Sequence, residues 1–268
     1  MLKDGHIHTK YCPHGTADSF SEYIEKAIKL GFQEITFTEH APLPEQFEDP
    51  APGKDSAMNP ELLDAYFADL DVLKKKFAGV IKINTGLEVD FIEGYEEETR
   101  RFLDKVGPKL DDAILSVHFL KYRDSYDCLD YSPEVFGQMI EKYGTIEALY
   151  ERYFDTLLLS IKANLGRYKP TRIGHITLVR KFHKKFPAAY DYSERLAEIL
   201  LVLKIYDYAL DYNGAGTAKP LCREPYPPDW IAEKAVELGI PLVYGSDAHQ
   251  AKELGQGREQ MAFIQLPE

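Results

Sequence analysis

The chain has 268 residues, of which 44% are apolar and 28% charged, and a formal net charge of −12. That length and composition suit a soluble protein with a sizeable core, built as one large domain or two small ones. The acidic balance argues against a general nucleic-acid binder, no apolar run is long enough to span a bilayer, and the N-terminus lacks a basic-then-apolar targeting pattern.

The expected setting is therefore cytoplasmic, with neither nucleic acid nor membrane as partner. Cys12, Cys128 and Cys222 are odd in number, widely spaced and without a CxxC pair, so they read as reduced buried thiols. With so acidic a chain, an anionic substrate needs a local positive centre, from metal ions or a few arginines.

Along the chain, β-like and helical patterns alternate. Leu2–His8 reads as a strand and Ser19–Leu30 as an amphipathic helix closed by Gly31. Glu34–Thr38 is β-like, a Pro-rich loop covers Ala41–Pro60, and Glu61–Phe77 has a helical apolar stripe. Val80–Val89 reads as a strand, Tyr95–Val106 as a helix and Ala113–Val117 as a fourth strand. A tyrosine-rich insertion at Tyr122–Tyr131 precedes a helix over Ile146–Asn164. Arg172–Ile176, Tyr206–Tyr212 and Pro241–Tyr244 complete the strands, separated by helices at Ser193–Lys204 and Pro228–Leu238. Seven β-then-α units in one stretch predict a single α/β domain with a parallel sheet. Their number favours closure into a barrel, and no G-x-G-x-x-G turn follows the first strand, against a dinucleotide-binding sheet.

The titratable residues are distributed unevenly on this frame. The first strand ends in Asp4-Gly5-His6-Ile7-His8-Thr9, and residues two apart on a strand face the same side, so both imidazoles can address one ion. Such a pair alone is a weak signal. However, His14, His40, His118, His175 and His249 also fall at or just beyond strand C-termini, as do Glu88 and Asp247. That face is where a parallel α/β barrel builds its active site. Each histidine taken singly reads as a helix cap or a core residue. Together with two carboxylates they form a donor set suited to Zn²⁺, Fe or Mn²⁺, and too large for one tetrahedral ion. His183, in a basic run, reads as an ordinary surface residue.

The set HxH…H…EH…E…H…H…DxH resembles the polymerase and histidinol phosphatase (PHP) superfamily of metal-dependent phosphoesterases, from His6 to His249. The segments around Cys12-Pro13-His14-Gly15, Ser116-Val117-His118-Phe119, Gly174-His175-Ile176-Thr177 and Gly245-Ser246-Asp247-Ala248-His249 resemble its histidinol-phosphatase branch. The resemblance implies a distorted (β/α)7 barrel with three divalent ions (Zn, Fe or Mn). It places the first ion on His6, His8, Glu88 and Asp247, and the second on Glu88, His118 and His175. The third falls to His14, His40 and His249.

A hydroxide bridging the first two ions would then attack the phosphorus of L-histidinol phosphate in line. Catalysis would rest on Glu88, Asp247 and His249, with Asp247 or a metal-bound water protonating the leaving alkoxide. Phosphate contacts are expected from Arg180, which follows a barrel strand, and from Lys219 or Arg223, because the family's arginine after the Asn-x-x-Gly turn is replaced here by Ala218-Lys219. The insertion Tyr122–Tyr131 reads either as a substrate-facing loop or as a solvated rim, and Ala41–Pro60 as a rim or lid. A monomer or small homo-oligomer is expected. Three alternatives remain at this level: a phosphoesterase for another metabolite, nucleotide or phosphotyrosine; an amidohydrolase-like C–N hydrolase; and a non-catalytic metal-binding barrel. Glu88, in the position where an amidohydrolase would place a bridging lysine, disfavours the second.

Overall fold

Consecutive β-then-α units wind in the same sense, so successive strands lie parallel and side by side. The computed structural model of the chain describes residues 2–189 and 191–264. In chain order the elements are β1 (Lys3–Ile7), α1 (Phe20–Lys29), β2 (Glu34–His40), α2 (Leu63–Lys76), β3 (Lys82–Asp90), α3 (Glu96–Val106) and β4 (Asp112–Ser116). A hairpin of β5 (Phe119–Tyr122) and β6 (Ser125–Cys128) follows, then α4 (Pro133–Tyr143), α5 (Ile146–Lys162) and β7 (Arg172–Ile173). The remainder comprises α6 (Ser193–Ile205), β8 (Ala209–Asn213), the short α7 (Ala215–Ala218), α8 (Asp229–Glu237) and β9 (Leu242–Gly245).

Seven strands form one parallel sheet in the order β1-β2-β3-β4-β7-β8-β9. The two edges approach at the top. His8 N donates to Ala248 O at 2.9 Å and Asp247 N to His6 O at 2.7 Å, so the sheet curls into a nearly closed (β/α)7 barrel. The interior and the helix layer share one apolar core in which Phe37, Leu87, Leu115, Tyr153 and Leu210 are fully or almost fully buried. No helix among the described residues is long and apolar enough to cross a membrane.

Local chemistry explains the element limits. Ser19 caps α1 through its hydroxyl and Glu22 reaches back to the Ser19 N–H at 2.6 Å, a reciprocal capping box. The helix expected over Glu61–Phe77 begins instead with a 3-10 turn at Pro60–Leu62, because Pro60 presets φ at the first position after the Asn59 cap. The strand expected from Tyr206 starts only at Ala209, since Asp207 takes a left-handed φ of 56° that reverses the chain after α6. Arg172–Ile176 shortens to two residues as the chain leaves the sheet to deliver His175. The tyrosine-rich insertion is partly regular, and the sequence reading missed its hairpin and the following helix α4, which Ser132 caps onto Val135 N.

Candidate metal centre

The sequence-predicted ligands all rise from the same end of this barrel. Parallel pairing sets His40, the last residue of β2, beside Glu88 of β3. Strand alternation turns His6 and His8 to the same interior point, where their Nε2 atoms lie 3.2 Å apart. The segment after β9 carries Asp247 towards them. That approach depends on Gly245, because a Cβ there would stand 2.5 Å from His6 Cβ and 2.7 Å from Asp211 Oδ1. Asp247 itself adopts a φ of 51°, a left-handed conformation uncommon outside glycine and better tolerated by Asp than by most residues.

Two ligand groups converge tightly. Around the first, His6 Nε2 and His8 Nε2 stand 3.3 and 3.4 Å from Glu88 Oε2, and His8 Nε2 is 3.1 Å from Asp247 Oδ1. Around the second, Glu88 Oε1 lies 2.9 Å from His175 Nε2 and 3.7 Å from His118 Nε2, and it accepts the Ser116 hydroxyl at 2.6 Å. Glu88 thus turns one oxygen to each group. The third is looser. The rings of His40 and His249 stack on His8 at centroid distances of 4.3 and 4.1 Å, and their donors gather with Cys12 Sγ. His14 stands at the edge of that set, its side chain 37% exposed, with Nε2 3.7 Å from Asp55 and Nδ1 3.7 Å from Cys12 Sγ.

The hydrogen bonding behind these ligands tests whether cations fit. His6 Nδ1 bonds Asp211 at 2.8 Å, His8 Nδ1 bonds Glu39 at 3.2 Å and His118 Nδ1 bonds Asp90 at 2.7 Å. A carboxylate on Nδ1 holds the proton there and leaves Nε2 as a lone pair. Two such lone pairs and two carboxylate oxygens then face one point. That arrangement is repulsive unless something positive sits between them. Ligands about 2.0–2.1 Å from a tetrahedral zinc lie about 3.3 Å from one another, close to the separations seen here. The Nδ1 atom of His175 is buried without a hydrogen-bond partner, and that of His40 makes none either although it stands 3.2 Å from Glu88 Oε2. The donor set fits divalent cations.

Ionisation points the same way. Burial opposes charge on His8, yet bonds to Asp247 and Glu39 outweigh it and push its pKa up to about 9. Burial likewise opposes charge on His118, and Asp90 raises it to about 10. Without cations, protons would have to take the positive role in this acidic mouth. His249 behaves oppositely: burial and the neighbouring His8 bring it down to about 3, leaving a neutral imidazole with a free lone pair.

Above the ligands opens a cavity of about 450 Å³, within the size range of small-molecule sites. Lys219 lines it, whereas Arg180 and Arg223 do not. Arg180 pairs with Glu224 and stacks over Tyr192, and Arg223 turns to the carbonyls of Thr217 and Ala218. The wall residues Asp130, Tyr131 and Cys128 come from the hairpin region, and Asp55 and Ser56 from the Pro-rich loop. His183 is half-buried, with Nε2 2.9 Å from Cys222 O.

Sequence reasoning missed Glu39, Asp90 and Asp211 behind the ligands, Cys12 beside the third group, and Lys181 and Asp130 in the wall. Glu39 next to His40, Asp90 two residues after Glu88, and Lys181 next to Arg180 were the available signals.

The PHP domain matches residues 4–215. The histidinol-phosphatase of Bacillus subtilis (strain 168) is 49% identical over 267 residues, covering 98% of both chains. A crystal structure from Listeria monocytogenes, assigned as a histidinol phosphatase, superposes with a TM-score of 0.92 at 40% identity, covering 97% of this chain and 100% of that one. The histidinol phosphate phosphatase of Lactococcus lactis, crystallised with zinc, L-histidinol and phosphate, shares the fold at a TM-score of 0.69 and 23% identity, covering 96% and 91%. A barrel with convergent imidazoles and carboxylates at its mouth, matched over most of its length in this way, belongs to the PHP-domain family.

Proposed function

We propose that the barrel mouth hydrolyses L-histidinol phosphate to L-histidinol and inorganic phosphate. The chain is a histidinol-phosphatase, a phosphoric monoester hydrolase that uses divalent metal. The observation that carries this reading is the pair of opposed His6 and His8 Nε2 lone pairs with Glu88 and Asp247 around them, in a chain 49% identical to a histidinol-phosphatase. Three ions are proposed, held by His6, His8, Glu88 and Asp247; by Glu88, His118 and His175; and by His40, His249 and His14, with Cys12 beside the last.

Bound there, divalent cations supply Lewis acidity, lowering the pKa of water and neutralising phosphoryl oxygens. The protein's own groups do the rest. Glu88 spans two ligand groups and is oriented by the Ser116 hydroxyl. Asp247 is held through Oδ2 by Asn213 Nδ2 at 3.1 Å, which fixes its other oxygen towards His8. Overall, one water oxygen bonds to phosphorus, the ester P–O bond breaks, and a proton must pass from the water to the departing alcohol. Asp247, on the cavity wall beside His249, is the proposed carrier. Lys219 is a proposed contact for the substrate's anionic end.

Purified, metal-replete protein should release phosphate from L-histidinol phosphate with kcat/KM exceeding that for p-nitrophenyl phosphate and nucleotides by on the order of 100-fold. Glu88→Ala should lose both metal and turnover. An active Glu88→Ala protein, or a metal-replete enzyme inert to L-histidinol phosphate, would sink the assignment.

A further inference from the structure

A phosphomonoester brings two negative charges into a cavity already walled by carboxylates, so the cationic side chains that reach it are decisive. Among the described residues lining the cavity these are Lys181 and Lys219. Arg180 is the last residue of the 3-10 turn Leu178–Arg180 and Lys181 caps it, and in such a turn successive side chains diverge by roughly a third of a turn. One of them therefore faces away when the other faces in. Arg180 is the one turned out, engaged by Glu224 and by the Tyr192 ring.

Lys181 is the one turned in, and it is held. Its Nζ donates to Asp130 O at 2.7 Å and to Asp130 Oδ2 at 2.8 Å. An ammonium has three N–H groups, so one remains for the cavity that Lys181 lines. Lys181 and Asp130 line the same cavity as Glu88, His118, His175 and Asp247, so the pair faces the space above both tight groups. Lys219, by contrast, is exposed and has no ion pair among the described residues. A cation fixed by two hydrogen bonds needs no reorganisation when phosphate arrives, whereas a free lysine must be ordered first.

We propose that Lys181 is the fixed phosphate-contacting cation of this site, and that Asp130 positions it. This rests on the phosphatase reading only in requiring a phosphoryl group above the ligands. It leaves open which alcohol that group carries.

The test uses metal-loaded enzyme, with metal content measured for every variant, and two probes independent of the natural substrate: competitive inhibition by inorganic phosphate and turnover of p-nitrophenyl phosphate. Lys181→Met should retain metal, weaken phosphate inhibition by about tenfold and lower kcat/KM by on the order of 100-fold. Lys181→Arg should recover most of both. Asp130→Asn, which keeps the lysine but loosens it, should weaken phosphate inhibition less than Lys181→Met while unfolding at nearly the wild-type temperature. Phosphate inhibition and kcat/KM within about twofold of wild type in metal-replete Lys181→Met would overturn the proposal. If Lys181→Met does not load metal, Asp130→Asn decides, and wild-type phosphate inhibition in it overturns the proposal equally. An enzyme that ignores L-histidinol phosphate yet shows these Lys181 effects refutes the substrate, not the lysine. One that hydrolyses L-histidinol phosphate with Lys181→Met unaffected does the reverse.

Discussion

At the scale of single residues, the imidazoles proposed as ligands depend on buried carboxylates behind them. Asp211, Glu39 and Asp90 each accept an Nδ1 proton, from His6, His8 and His118 respectively. Asp211 is itself gripped, with Arg172 Nη1 at 3.4 Å from one oxygen and Asn213 Nδ2 at 3.1 Å from the other. Replacing it with Asn keeps the shape but removes the charge that makes the His6 Nε2 lone pair basic. Asp211→Asn should lower divalent-metal affinity about 10- to 100-fold in a chelator competition, with the fold intact by circular dichroism. Wild-type affinity in that variant would refute the role. The convergence of the proposed ligands was legible in the sequence because their spacing and position at strand ends are local patterns. Their supports were not, because the partners lie far apart in the chain: His8 and Glu39 are separated by 31 residues and His6 and Asp211 by 205. Only the folded register brings them together.

At the scale of elements, the close approach of β4 and β7 sets the second ligand group. Gly174 follows β7, and a Cβ there would lie 2.1 Å from Ser116 Oγ, the hydroxyl that orients Glu88. Gly174→Ala should therefore destabilise the protein by about 1–3 kcal/mol, read from a denaturant midpoint, and disturb Glu88 as well. Adding Ser116→Gly should recover part of the stability without restoring activity, because the clash goes but the hydroxyl goes too. No loss of stability in Gly174→Ala would show that the strands can part. Helices such as α1 were readable because the Ser19–Glu22 box and Gly31, at φ 80°, punctuate them locally. The β5–β6 hairpin was hidden for the converse reason. It turns at Arg123, with φ 53°, where neither Gly nor Asn announces the left-handed residue. Helix α4 did carry signals, Ser132-Pro133 at its start and Gly144 after its end, which the surrounding tyrosines obscured.

Across the whole molecule, the alternation of β and α patterns was enough to expect a barrel, but not to show where it closes. The joining bonds link His6 and His8 to Asp247 and Ala248 at the far end of the chain. Closure gathers Glu39, Glu88, Asp90, Asp211 and Asp247 into one mouth, while Arg172, buried below, pairs with Asp211 alone of these. Divalent cations offset that excess, so binding them should be coupled to folding. Metal at roughly 1,000 times its dissociation constant stabilises by about 4 kcal/mol, which for a domain of this size corresponds to on the order of 10 °C in unfolding midpoint. Chelated protein should unfold that much earlier than loaded protein. The gap should also depend on pH. In the metal-free protein His8 and His118 have pKa values raised to about 9 and about 10, so their protonation stabilises the fold fully below about 6.5 and that stabilisation is lost as pH rises through 9 to 10. The loaded protein does not need those protons. The difference in midpoint should therefore widen between pH 6.5 and pH 9, as measured by parallel thermal unfolding of chelated and reloaded samples. A gap that is absent, or that narrows with rising pH, would mean that the carboxylate-rich mouth is balanced by something other than bound cations.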